Sequence, residues 1–291
     1  MSFSGTVKEE LAAYISPARH CQLAELAALF HFGGRLAEDG CHVKLEMENE
    51  AIARKCFTLL QKTYNINNVM RDEDEKKVLQ ALHLYDGGHH IIPLDTPVNA
   101  LLVKNSCCVR AFLRGAFLCA GSMSDPEKSY HLEFVCGRPE QAVQLKAMIQ
   151  EFQIEAKIIR RKKYYVVYLK EGSGIVDLLN VIGAHVSLMN LENLRIVKEM
   201  RNSINRRVNC EAANITKTVN AASKQIEDIL LIQKRYGFEN LPDNLRQMAE
   251  IRLEHPDAPL KELGEYLDPA VGKSGVNHRL RKLSEIADHM R

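Results

Sequence analysis

Two short segments written to one pattern constrain this chain more than anything else in it. LAALFHFGG, from Leu26 to Gly34, and LRGAFLCAG, from Leu113 to Gly121, are each an apolar, small-residue helix ending in Gly. Each is followed by an alternating strand. CHVKLEMEN turns Val43, Leu45 and Met47 to one face and Lys44, Glu46 and Glu48 to the other; SYHLEFVC sets Tyr130, Leu132, Phe134 and Cys136 against His131, Glu133 and Val135. A period of two predicts half-buried strands. An amphipathic helix then follows in each copy, Glu50 to Tyr64 and Glu140 to Phe152. After it come β-like runs, NNVMRD and KKVLQALHLY in the first copy and EAKIIRR and KYYVVYLK in the second. The order helix, strand, helix, strand, strand, written twice, predicts an α+β domain over 1–190 with pseudo-twofold halves at about 1–95 and 96–190.

A chain of 291 residues has room for about two such units. From Leu188 onward the pattern is all helical. A polar helix runs through Gln225 and on to Tyr236, stopping at Gly237, and a small helical domain follows. The expected divisions are a connecting polar helix over 191–222 and an all-α domain over 223–291. The opening MSFSGTVKEELAAYI is broken by Lys8, Glu9 and Glu10, and no run approaches the roughly 20 apolar residues of a membrane span. A cytoplasmic protein with no membrane partner is expected. Cys21, Cys56, Cys119 and Cys136 sit in apolar patterns as small core residues, which suits a reducing compartment. No CxxC occurs, and the adjacent pair Cys107 and Cys108 does not offer the geometry of a structural zinc site, so neither a thiol-ligated metal nor a cofactor is expected.

Residues 201 to 225, RNSINRRVNCEAANITKTVNAASKQ, form a helix pattern without Pro or Gly. Five Asn residues (Asn202, Asn205, Asn209, Asn214 and Asn220) lower its helix propensity, so packing or a ligand should compensate. A solvated connector and a helix that bears on nucleic acid or locks two domains are both open. The stretch closely resembles the signature of the bacterial WhiA family, RNxxNRxxNCxxANxxKT, matched at Arg201, Asn202, Asn205, Arg206, Asn209, Cys210, Ala213, Asn214, Lys217 and Thr218. The resemblance extends over essentially the whole chain, from SFSGTVKEEL to KSGVNHRLRKLSEIA.

The last segment has the layout of a helix-turn-helix. NLPDNLRQMAEIRLEHP is a helix closed by Pro256, APLKELGEYL a second, DPAVG a turn and KSGVNHRLRKLSEIADHM a third. Leu260, Leu263 and Leu267 should face Val276, Leu280, Leu283 and Ile286. From Lys273 to Arg291 five basic residues stand against two acidic ones, a local surplus in a chain whose net charge is only +2. Ser274, Gly275, Asn277 and His278 occupy the turns where a recognition helix meets base edges, and the helix start can receive a phosphate. Lys273 to Lys282 are therefore expected in the major groove of double-stranded DNA. Arg279, Arg281 and Lys282 would lie on phosphates, with Asn277 and His278 as base readers. Arg201, Asn205, Arg206, Asn209, Asn214 and Lys217 would extend the DNA contact or fix the domains. A plain helical hairpin with a solvated basic face is the alternative.

The duplicated helices resemble the LAGLIDADG motif of homing endonucleases, also the fold that the WhiA resemblance implies. In those nucleases an acid at the eighth motif position of each helix holds the catalytic metal; here the positions are Gly33 and Ala120. Neither binds a metal, His31 and Asp125 are poorly placed substitutes, and no catalytic residue is expected. The outward faces carry Glu46, Glu48 and Glu133, which repel phosphate, while Arg160, Arg161, Lys162 and Lys163 cluster at a strand-to-strand turn, as a solvated tip or a phosphate contact. GKS at 272–274 lacks the earlier Gly and strand of a P-loop, Gly172 and Gly174 lack the third Gly of a dinucleotide fingerprint, and GGHH at 87–90 reads as a turn. The resemblance implies a non-enzymatic, nucleoid-associated DNA-binding protein. It would regulate transcription in sporulation, or support cell division and chromosome segregation, with a WhiB-type iron–sulfur partner in some lineages. A residual nuclease and a protein-docking scaffold are the rivals.

Overall fold

The computed structural model describes residues 2–47, 49–66, 70–86 and 90–291, which divide into two compact units between Lys198 and Glu199. In the first, α2 (Arg19–Gly33) and α5 (Ser106–Ala120) are the duplicated helices, packed directly on each other. Their small residues set the distance. A Cβ on Gly115 would lie 2.7 Å from the Glu25 carbonyl oxygen and 2.8 Å from Ala28 Cβ, so the two backbones meet where any side chain would part them. Ala24, Ala27, Ala28, Ala111 and Ala116 are buried along the same seam.

Each central helix runs straight into a short strand that the alternation did not announce, β1 (Gly34–Leu36) and β3 (Gly121–Met123). β1 pairs antiparallel with β2 (Val43–Leu45), Gly34 opposite Leu45. In the second half β3, β4 (Leu132–Cys136), β6 (Tyr164–Leu169) and β5 (Lys157–Arg161) form an antiparallel sheet in the order β3-β4-β6-β5. Leu132, Phe134, Cys136 and Val167 are buried, and the Phe134 ring meets Phe117 of α5 edge-on at 5.8 Å. The expected alternation of β4 and the turn at Lys162, with φ of 55°, are both present. The helices α3 (Glu50–Tyr64) and α6 (Pro139–Gln150) follow the strands of their respective halves.

The halves then diverge. Of KKVLQALHLY, expected as a strand, residues 76–81 belong to α4 (Asp72–Ala81) and Tyr85 makes an isolated bridge to Ile91, so among the described residues the first half carries two strands beside that bridge. The cause lies just upstream. Asp72, Glu73, Asp74 and Glu75 fill the first turn, where the helix dipole favours negative charge. Glu75 is anchored by the Val43 amide at 2.6 Å and His42 Nδ1 at 2.8 Å, which fixes Val78 and Leu79 in the core. Of the expected NNVMRD strand, residues 67–69 lie outside the described residues, as do Glu48 and residues 87–89 of the GGHH turn, and Asp72 opens α4.

Three charges are buried at the seam. The Glu25 carboxylate accepts from Lys55 Nζ at 2.8 Å and from Arg114 Nε at 2.9 Å, and the Glu25 and Lys55 side chains are fully buried. Lys55 also donates to the Leu11 and Tyr14 carbonyls, capping the end of α1 (Phe3–Ala13), while Arg114 donates to the Ile182 carbonyl at 3.2 Å. Burial holds the Lys55 ammonium below its ordinary pKa despite Glu25. After α7 (Gly172–Ile182), Gly183 turns the chain at φ of 90° into α8 (His185–Arg235), whose start is capped by the Glu10 carboxylate on the Val186 and Ser187 amides. The expected divisions at 190 and 222 both fall inside α8.

In the second unit, α9 (Asp243–Glu254), α10 (Leu260–Glu265) and α11 (Lys273–His289) enclose a core of Leu245, Met248, Leu263, Leu267, Val276, Leu280 and Leu283, closed by Ile229 and Ile232 of α8.

Candidate nucleic-acid interface

The tight connection between α10 and α11 is made possible by glycine. A Cβ on Gly264 would sit 2.0 Å from the Val271 carbonyl oxygen, and the Val271 amide donates back to the Gly264 carbonyl at 3.0 Å. The start of α11 is left open. Gly272 occupies its cap with nothing near its missing side chain, and no side chain caps the helix. The dipole and free amides of that end favour an anion.

α11 sorts its residues by face. Val276, Leu280, Leu283 and Ala287 are buried, while Lys273, Ser274, Asn277, His278, Arg281 and Lys282 are exposed together, and Gly275 is half-buried. Arg281 is steadied by Glu285 at 3.2 Å. Arg279, expected on phosphate, is turned the other way: it is half-buried, and its Nη1 donates to the Asn244 carbonyl of α9 at 3.4 Å. Two residues of spacing on a helix are about 200° of rotation, so Arg279 cannot share the face of Arg281.

The signature stretch of α8 buries nothing. Every residue from 199 to 221 is exposed, Arg201, Asn205, Arg206, Asn209, Asn214 and Lys217 among them. At 100° per residue, Asn202, Arg206, Asn209, Lys217 and Asn220 share one face, and Ile204, Val208, Ile215 and Val219 lie on the opposite one. The packing that should offset five Asn residues is therefore absent from the chain's own fold. Lys217 and Thr218 meet α11 around a cavity of about 370 Å³, which Lys273 and Asn277 also line, together with Lys261 of α10 and Arg252 of α9. The signature face and the exposed face of α11 thus adjoin within one unit. Arg252 is buried, donating to the Ala258 carbonyl at 2.7 Å, while its Nε has no partner; burial lowers its pKa.

In the first unit, Gly33 and Ala120 end α2 and α5 beside a hollow of about 590 Å³. Asp95, which the sequence reading passed over, is the one carboxylate among the described residues lining it, and Arg138 holds it at 3.0 Å. His31 points its Nδ1 at the Leu94 carbonyl, 2.7 Å away, and burial lowers its pKa. Asp125 accepts from the Glu127 amide in its own loop. Among the described residues, the acids expected to repel phosphate are paired, Glu46 with Arg35 at 2.8 Å and Glu133 with Arg161 at 3.2 Å. The vicinal pair Cys107 and Cys108 is not isolated either, because the fold brings His20 and Cys21 against it. Reading that pair alone could not reveal a set of donors assembled from two helices.

A duplicated LAGLIDADG-like α+β domain joined to a helix-turn-helix defines the class of protein. The WhiA N-terminal LAGLIDADG-like domain matches residues 19–102, the WhiA LAGLIDADG-like domain residues 109–201 and the WhiA C-terminal HTH domain residues 204–287. The chain belongs to the WhiA family. It is 52% identical to the probable cell division protein WhiA of Lachnoclostridium phytofermentans, with all of both chains covered. It is 49% identical to that of Alkaliphilus oremlandii, over 99% of this chain and 97% of the other. The crystal structure of full-length DUF199/WhiA from Thermatoga maritima is similar at a TM-score of 0.58 and 26% identity, covering 99% of each chain. No described helix is long and apolar enough to cross a membrane.

Proposed function

We propose that this chain is a non-enzymatic, nucleoid-associated DNA-binding protein that regulates transcription in support of cell division and chromosome segregation, and of sporulation where that program exists. The observation that carries the reading is the junction of two exposed basic faces in one unit, where Lys217 of the signature helix and Lys273 and Asn277 of α11 line one cavity. α11 lies in the major groove with Lys273, Ser274 and Gly275 at its entering end. Asn277 and His278 reach base edges, and Arg281 and Lys282 hold phosphates. Arg279 positions α11 against α9 instead. The face of Arg206, Asn209 and Lys217 continues along the DNA backbone, with Asn205 and Asn214 at its margins, while Arg201 lies on the opposite side with Val219. That contact supplies what the five Asn residues lack. Relatives named as cell division proteins support the process assigned here.

The reading is non-enzymatic because Gly33 and Ala120 offer no carboxylate to a metal and Asp95 is engaged by Arg138. A WhiB-type partner, implied by resemblance alone, forms no part of it. The test is duplex binding by fluorescence anisotropy across a salt series with Mg²⁺ present, followed by a gel for cleavage. Each phosphate contact contributes about 0.9 to the slope of log affinity against log salt. Arg281→Ala with Lys282→Ala, and separately Arg206→Ala with Lys217→Ala, should each flatten it by about two. An unchanged slope in both pairs, or any nicking of the DNA, defeats the reading.

A further inference from the structure

We propose that His20 Nδ1 and the Sγ atoms of Cys21, Cys107 and Cys108 are the four ligands of a structural zinc ion that clasps the N-termini of α2 and α5. All four donor atoms lie within 4.8 Å of one another. His20 Nδ1 is 3.2 Å from Cys108 Sγ, 3.4 Å from Cys21 Sγ and 3.9 Å from Cys107 Sγ. One imidazole nitrogen carries a single proton or a single lone pair, so hydrogen bonding satisfies one of those three approaches and leaves two unexplained. A tetrahedral ion explains all three. Zn–S bonds of about 2.3 Å and Zn–N bonds of about 2.0–2.1 Å place neighbouring ligand atoms roughly 3.5–3.8 Å apart, and the three distances from His20 Nδ1, 3.2, 3.4 and 3.9 Å, bracket that spacing.

The arrangement follows from the duplication. The 87-residue offset that separates His20 from Cys107 is the one that carries Leu26 onto Leu113, and it also carries Cys21 onto Cys108. The donors are therefore two equivalent pairs, each at the second and third positions of its helix, brought face to face by the packing of α2 on α5. Vicinal residues ligate one ion here because the second pair comes from the other helix, not from a nearby stretch of chain. On loading, three thiols release their protons to solvent and no electron is transferred. Three thiolates, a neutral imidazole and Zn²⁺ sum to one negative charge. The helix ends stabilise it, and so does Arg110, which lines a hollow with Cys21 and Cys107. Cys21 and Cys108 are buried and Cys107 is exposed, so the ion has one wall toward solvent and an entry path.

Full-length protein, purified under reducing conditions without a histidine tag, should contain about one zinc per chain by elemental analysis. Apoprotein prepared with a chelator and titrated with Co²⁺ should develop thiolate-to-cobalt charge transfer and the visible bands of a tetrahedral site. Cys107→Ser leaves no core cavity because Cys107 is exposed. It should weaken Zn²⁺ in competition with a chromophoric chelator by at least about 100-fold, and His20→Ala should do likewise. Absence of a tetrahedral cobalt spectrum in the reduced wild-type protein overturns the proposal. So does iron–sulfur absorption, or a count below eight free thiols after denaturation, which would mark a disulfide instead. None of these readouts depends on DNA binding.

Discussion

Replacing Glu25 by Gln leaves the volume of the α2–α5 seam unchanged and removes one charge from a buried set of three. Arg114 keeps the Ile182 carbonyl and the Tyr14 ring, Lys55 keeps its two carbonyls at the end of α1, and the amide oxygen that replaces the carboxylate still accepts a hydrogen bond but carries no charge. Two cations then face each other without a counter-charge. Breaking a buried ion pair at one partner costs about 3–5 kcal/mol. For a unit of this size each kcal/mol moves the midpoint by about 2–4 °C, so the melting temperature of the N-terminal unit should fall by roughly 6–20 °C. Differential scanning calorimetry reads it directly. A pH series supplies a second signature. Burial already lowers Lys55, so the folded state binds fewer protons there than the unfolded chain, and stability rises as pH climbs through the folded pKa toward the ordinary 10.5. With Glu25 gone that rise should start at lower pH and be larger. A loss below about 1 kcal/mol with no added pH dependence would refute the view that these charges depend on one another in a dry seam.

Two further outcomes follow from local geometry. Gly264→Ala drives a methyl group into the Val271 carbonyl and should destabilise the C-terminal unit by about 3 kcal/mol or more, seen as a lowered calorimetric midpoint for that unit. His42 is raised above its ordinary 6.5 by the hydrogen bond and charge of Glu75, so its contribution is complete below that value and is lost as pH rises through the folded pKa. The melting difference between wild type and His42→Gln should therefore be largest near about pH 5.5 and vanish by about pH 8.5.

What could be read beforehand was whatever has a short period. SYHLEFVC alternates and KYYVVYLK is a continuous aromatic and β-branched run, both hold strands, and the leucines of APLKELGEYL meet those of the last helix as their spacing demands. KKVLQALHLY misled because its apolar residues fit either period, and the deciding residue, Glu75, acts through His42 and Val43 more than thirty positions away. The Glu25 triad was hidden for the same reason, as was the approach of His20 to Cys107. Arg279 is the reverse case: it lies on a helix correctly placed, yet faces α9 because one residue of rotation separates it from the open side.

The stretch 199–221 has a consequence for how the protein melts. Because it buries no residue, nothing along it makes the loss of one hydrophobic cluster cost the other its contacts. Heating should produce two calorimetric transitions, with Glu25→Gln displacing one and Gly264→Ala the other. A single stability value for the whole chain would then describe neither.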